Sequence, residues 1–277
     1  AVSTIPTAVT KEPVKLEGWR GEPRLFDYMK EVQPVFDNSC VSCHDYGKPA
    51  GKRLNLAPDR TLTFNTSYTE LWRKGLTAAI GAGPSDIQEP YTWGSHASRL
   101  ISTLRAGHQG VMLDDESLDR LVTWIDINAP YYPVYATAYP DNLAGRSPLD
   151  PAQIARLTVL TGVPFASLAS HRTSRGPQLS FDRPELSPCL DSLRTVGGAA
   201  YEEALALIRV GAAALATRPR ADMDGFVPCM TDQMRMTKYE MRRQIESLNR
   251  EAIRTGTKLY DDGRRDAIVT PSSAGHH

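Results

Sequence analysis

The sequence predicts an all-α fold with long loops, and three observations carry that expectation. Apolar residues recur at helical spacing in several separate stretches. Stretches rich in Gly, Pro and Asn, without periodicity, lie between them. Nothing strand-like flanks the most distinctive segment of the chain, Cys40-Val41-Ser42-Cys43-His44.

Residues 1 to about 22 carry Pro, Thr and Lys without sustained periodicity and read as a linker or arm. Phe26, Met29, Val32 and Phe36 then fall at helical spacing, with Asp27 as a cap and Pro34 marking a break or restart just before the cysteine motif. From Gly47 to Asp59 the residues are those of turns, so a loop is expected, followed by a short helix around Tyr68 to Gly75. Further turns fall at Gly81-Ala82-Gly83-Pro84 and Glu89-Pro90. Ser95 is placed to cap a helix carrying Leu100, Ile101 and Leu104 and ended by Gly107. Asp114, Asp115 and Glu116 suit the N-terminus of the next helix, whose Leu118, Leu121, Val122 and Ile125 lie on one face before Pro130. A Tyr- and Pro-rich connector runs to Pro151. Beyond it, Tyr201, Ala204, Leu205, Ile208, Ala212 and Leu215 form one amphipathic stripe, and Met234, Met241, Ile245 and Leu248 another on a charge-laced segment.

The Cys40-x-x-Cys43-His44 order has a chemical meaning. Two thiols on one helical turn can add to the two vinyl groups of a haem, and the imidazole that follows then lies under the iron as its proximal ligand. A thioredoxin-like C-x-x-C would want a βαβ surrounding, and a zinc site would want a second Cys or His pair, whereas Cys189 and Cys229 stand apart. One covalent haem c is therefore expected. The fold expected is a cytochrome c-like haem domain over residues 23–147, with a helical C-terminal extension over 148–270 and a tag-like or disordered tail over 271–277 that removes His276 and His277 from consideration.

The chain's 277 residues suffice for one large or two ordinary domains without disulfide support. Lys and Arg total 32 against 32 Asp and Glu, so no global field argues for nucleic acid or an anionic membrane surface. No apolar run reaches the length of a membrane span, and the chain opens on Ala1 with neither a charged nor an apolar leader region, as expected of a processed or trimmed product. Covalent haem attachment implies a periplasmic or otherwise exported location. There a disulfide between Cys189 and Cys229 is also expected.

A haem held by His44 needs a distal ligand or an open position. The candidates are His96, His108, Met112, His171 and the methionines of the late helix. His108 is the best placed, after a helix stop and 108 − 44 = 64 residues beyond the proximal histidine. Tyr46, Tyr131, Tyr132 and Tyr135 read as packing or hydrogen-bonding residues, Trp124 as core and His171 as a solvent-exposed loop residue.

Ser98-x-Leu100-x3-Leu104-x2-Gly107-His108-x2-Val111-x-Leu113, followed by Leu121-x2-Trp124-Ile125-Asp126-x-Asn128-x-Pro130, resembles the C-terminal monohaem domain of hydrazine synthase alpha-subunit-like proteins. More distantly it resembles planctomycete-type cytochrome c domains. The resemblance covers residues 19 to 135, and Pro219-Arg220-Ala221-Asp222-Met223-x-Gly225-Phe226 more loosely. It implies two histidine ligands, His44 and His108, with His96 as the main competitor. The distant relatives instead imply a methionine in the loop before the last helix, where this chain carries Met112. It does not imply hydrazine synthesis, whose haem lies in a different segment with a tyrosine ligand farther from its motif than Tyr46 is here.

The function expected is electron transfer by a low-spin, bis-histidine haem, in a module of a larger exported protein that serves a redox partner or a fused catalytic domain. The alternatives are a haem enzyme or gas sensor with an open or displaceable distal ligand, and a binding domain whose haem is structural.

Overall fold

The computed structural model describes residues 7–80, 87–169 and 175–258. His171, the turn at 81–84 and the tail at 271–277 lie outside the described residues. Among the described residues the chain is all-α, with two isolated β-bridges and no strand. The helices are α1 (Thr7–Thr10), α2 (Tyr28–Glu31), α3 (Gln33–Ser39), α4 (Thr66–Arg73), α5 (Arg99–Arg105), α6 (Asp115–Asp126), α7 (Pro151–Thr161), α8 (Asp191–Val196), α9 (Ala199–Thr217) and α10 (Met230–Arg254).

The break expected near Pro34 falls at Val32, which ends α2 and begins α3, and Pro34 occupies the first turn of α3, where a missing N–H costs nothing. Asp27 caps α2 by accepting from the Met29 N–H at 2.9 Å. Asn65 caps α4 through the Tyr68 N–H at 2.9 Å, and Asp114 caps α6 through the Ser117 N–H at 2.6 Å. One cap differs from expectation. Ser98, not Ser95, precedes α5, because residues Ser95–Ala97 form a separate 3-10 turn.

The chain divides into two compact units, one spanning Leu25–Cys229 and one combining the N-terminal arm with the segment from Met230. This differs from the expected division at residue 147. Leu25–Cys229 contains two apolar cores. The first joins α2 to α6 around Tyr28, Phe36, Leu71, Leu121 and Trp124, with the Tyr28 ring meeting Trp124 and Tyr68 edge-on at 5.2 Å. The second joins α7 to α9 around Leu149, Leu157, Phe165, Leu190 and Ile208. Leu62, from the loop before α4, packs in the second core, and so do Ala138 and Tyr139, so the chain passes between cores well before residue 147.

Buried polar groups join the two cores. Arg220 donates to the Thr61 carbonyl at 2.7 Å and pairs with Asp222, which accepts from the Tyr131 hydroxyl at 2.8 Å. The Phe181 N–H donates to the Arg60 carbonyl at 2.9 Å, and the Cys229 N–H to that of Thr137 at 2.7 Å.

The disulfide expected between Cys189 and Cys229 is absent, and no two of the four cysteines are joined. Cys189 is enclosed in the second core, where burial pushes its thiol up to about 12 and it packs as a small apolar side chain.

In the other unit, α1 packs along α10, and Arg254 pairs with Glu12 of the arm at 3.0 Å. The stripe on α9 is buried as expected, whereas Met234, Met241 and Leu248 of α10 are exposed. Among the described residues no helix is long and apolar enough to cross a membrane.

Candidate functional site

The cysteine motif sits where α3 runs out. Cys40 is the C-terminal cap of α3, and the N–H groups of Cys43 and His44 both donate to its carbonyl, at 3.0 and 2.9 Å. Both thiols and the imidazole therefore share one turn, with Cys40 half-buried against the first core and Cys43 exposed. Burial, reinforced by the neighbouring Cys43, pushes the Cys40 thiol up to about 11. A disulfide-exchange C-x-x-C needs the opposite displacement, so this environment argues against that chemistry.

His44 Nδ1 lies 2.8 Å from the Leu54 carbonyl oxygen. A carbonyl only accepts, so the ring proton is on Nδ1 and the Nε2 lone pair is left for a metal. The carbonyl is delivered by a loop that folds back after the motif. The Lys52 N–H donates to the Lys48 carbonyl at 3.1 Å, the Leu54 N–H to Ala50 at 3.0 Å and the Leu56 N–H to His44 at 2.9 Å. Gly51 is required there, since a Cβ at that position would fall 1.8 Å from the Asp45 carbonyl oxygen.

His108 opens a tight turn closed by the Val111 N–H on its carbonyl at 2.9 Å. The two central residues, Gln109 (φ 50) and Gly110 (φ 75), are both left-handed, the signature of a type I′ turn. This turn brings the His108 ring to 5.9 Å from that of His44, centroid to centroid, at an interplanar angle of 37°. Of the other distal candidates, His96 is exposed and packs on the Tyr91 ring at 5.2 Å, and Met112 is 90 % exposed.

The donor set fits a metal between the two rings. Two ring nitrogens each about 2 Å from one ion place the ring centroids about 6 Å apart. Among the described residues no group of three or more His, Cys, Asp or Glu could hold a metal, so the remaining ligands would have to come from a group with nitrogens of its own, as a haem has. Beside the His108 turn, a hollow of about 190 Å³ lined by Leu104, Val111, Leu113 and Leu118 offers apolar surface to one part of such a ring. A larger cleft of about 720 Å³, lined by Phe64, Tyr68, Tyr132 and Arg146 among others, contains none of the motif residues.

Searches of protein-family models, curated proteins and solved structures returned no match to this chain. The site therefore stands on its own geometry.

That geometry includes residues that sequence reading did not single out. Leu54 contributes only a backbone carbonyl, which no side-chain pattern announces. Arg183 reaches Asp45, the residue after His44, with bonds of 2.7 and 3.0 Å, and holds its carboxyl below the usual carboxylate range. Beneath the motif Gln33 is fully buried, donating to the Leu56 carbonyl at 3.0 Å and accepting from Asn65 at 2.7 Å. It ties α3 to the loop that carries the Leu54 carbonyl. Of the tyrosines, Tyr131 is buried, Tyr132 is half-buried and Tyr135 is exposed. Trp124 is wholly core.

Proposed function

We propose that this chain is a monohaem c-type cytochrome with a cytochrome c-like haem domain, working in electron transfer in an exported compartment, for a separate redox protein or for a catalytic domain of the same parent chain. The observation that carries the reading is the pair of imidazoles 5.9 Å apart, one of which belongs to the C-x-x-C-H motif and has its Nδ1 committed to a backbone carbonyl. When bound, the haem supplies a one-electron couple. Cys40 and Cys43 would tether it through their two thiols. His44 and His108, whose rings lie 5.9 Å apart, would supply its two protein ligands. Two nitrogen ligands would hold the potential below that of a His/Met pair, since a thioether favours the reduced iron. The Nδ1–H bond of His44 fixes the ring's tautomer and orientation.

The test is the optical and paramagnetic resonance spectrum of the chain matured with haem. The intact protein is expected to be low-spin and to resist carbon monoxide in the reduced state, and His108→Ala is expected to become high-spin and to bind carbon monoxide. An unchanged low-spin spectrum in His108→Ala removes His108 from the site. Ready carbon monoxide binding with His108 intact favours a sensor or enzyme with a displaceable ligand.

A further inference from the structure

Outside the motif, one side chain is bonded both to the attachment loop and to the region of the second core. Arg183 follows Phe181, a second-core residue, by two positions in the chain. Its guanidinium serves two carboxylates together. Nε and Nη2 donate to Asp59 at 2.8 and 2.5 Å, and Nη1 and Nη2 donate to Asp45 at 3.0 and 2.7 Å. The guanidinium also lies over the Tyr46 ring, 5.2 Å from its centroid. Asp59 is buried and takes a further bond from the Ser180 hydroxyl at 2.6 Å, and that same hydroxyl oxygen accepts from the Arg183 N–H at 2.8 Å. Both ends of the clamp are thus fixed.

What the clamp holds is the start of the loop that ends on His44. The Asp45 carbonyl accepts from Lys48 at 3.2 Å and is closely approached by Gly51, and the same loop closes through Ala50 to Leu54, whose carbonyl accepts from His44. We propose that Arg183 is a positioning residue for His44, clamping the loop after the attachment motif from the region of the second core, and that with Asp45 it sets the charge beside the haem. The inference rests on the cytochrome reading for its second half only, because the clamp acts on the loop whether or not haem is bound.

Two arms separate these halves. In the chain prepared without haem, trypsin cleavage after Lys52 or Arg53, both exposed, reports opening of the loop, and Lys48 is protected by the following Pro49. Arg183→Gln is expected to speed that cleavage by about tenfold, and Asp45→Asn to speed it in the same direction. In the haem-bound chain, the two substitutions are expected to move the midpoint potential in opposite directions: Arg183→Gln removes a positive charge and lowers it, while Asp45→Asn removes a negative charge and raises it. Arg183→Lys is expected to hold the potential near that of the parent while still opening the loop, because an ammonium cannot reproduce a fork bonded to two carboxylates. A folded Arg183→Gln protein with unchanged cleavage overturns the clamp, and potentials that shift in the same direction in Arg183→Gln and Asp45→Asn overturn the charge effect. If Arg183→Gln does not fold, Asp45→Asn decides alone, since it leaves the bonds to Asp59 in place. A parent chain that takes up no haem removes the cytochrome reading and leaves cleavage to judge the clamp.

Discussion

Arg220 is among the largest side chains fully enclosed in this protein, and its charge is balanced almost entirely by one neighbour. Nε and Nη2 donate to the two oxygens of Asp222 at 3.0 and 2.8 Å, and Nη1 donates to the Thr61 carbonyl. Asp222 in turn accepts from Tyr131. Desolvation raises its pKa, yet the Arg220 charge and bonds outweigh that and hold it below its ordinary range. Such a pair is a weak source of net stability but is costly to break, because the buried Asp222 carboxylate would keep only the longer contact to Arg60 at 4.0 Å for its charge. Arg220→Met is expected to destabilise the fold by about 3–5 kcal/mol in urea unfolding. Arg220→Met combined with Asp222→Asn is expected to cost less than the single change, since the orphaned charge is gone while an acceptor remains for Tyr131. If the two costs simply add, the groups do not act as a pair.

At the scale of elements, the cap of α2 introduces a pH dependence. Asp27 is 5 % exposed, and burial, opposed by the bond from the Met29 N–H, raises its carboxyl to about 6 from an ordinary 3.8. Between those values the folded chain holds a proton that the unfolded chain has lost. Its contribution is therefore fully present below about pH 4, falls as pH rises toward 6 and is flat above that. Asp27→Asn keeps an acceptor for the Met29 N–H and removes the charge. Its melting temperature is expected to exceed the parent's at pH 7, equivalent to roughly 1–2 kcal/mol after solvent screening, with the difference vanishing near pH 4. Thermal melts at the two values check this, and a constant difference would mean that Asp27 does not titrate in this window.

The elements also separate what the sequence made legible from what it hid. α6 and α9 were readable because their apolar residues keep one helical face and their ends carry charge or break signals. α7 is not marked out in the sequence, although Asp150-Pro151-x-Gln153 spells a capping box with Pro at the first turn, because Pro151 also ends the Tyr- and Pro-rich connector. The Cys40, Cys43 and His44 turn and the placement of His108 were legible from local pattern. The return of the loop to His44 was not, since the Arg183 clamp is 138 residues away from Asp45 in the chain and no local pattern encodes such a partner.

At the scale of the molecule, where the chain can be cut follows from what each core lends the other. A cut at the expected boundary, leaving residues 25–147, would remove Arg183 from Asp59, which is only 1 % exposed, and Arg220 from the Thr61 carbonyl. It would also strip Leu62, Ala138 and Tyr139 of the core they pack in. Buried carboxylates without partners and exposed apolar side chains both act against folding. The Leu25–Cys229 unit keeps both cores, both histidines and every bond of the clamp. A fragment of residues 25–229 is therefore expected to unfold in one cooperative transition by circular dichroism, with well-dispersed amide resonances. The 25–147 fragment is expected to show partial helicity, no cooperative melt and binding of a hydrophobic dye. A cooperative melt from the shorter fragment would mean that the first core is self-sufficient and that the buried arginines between the cores are accessory.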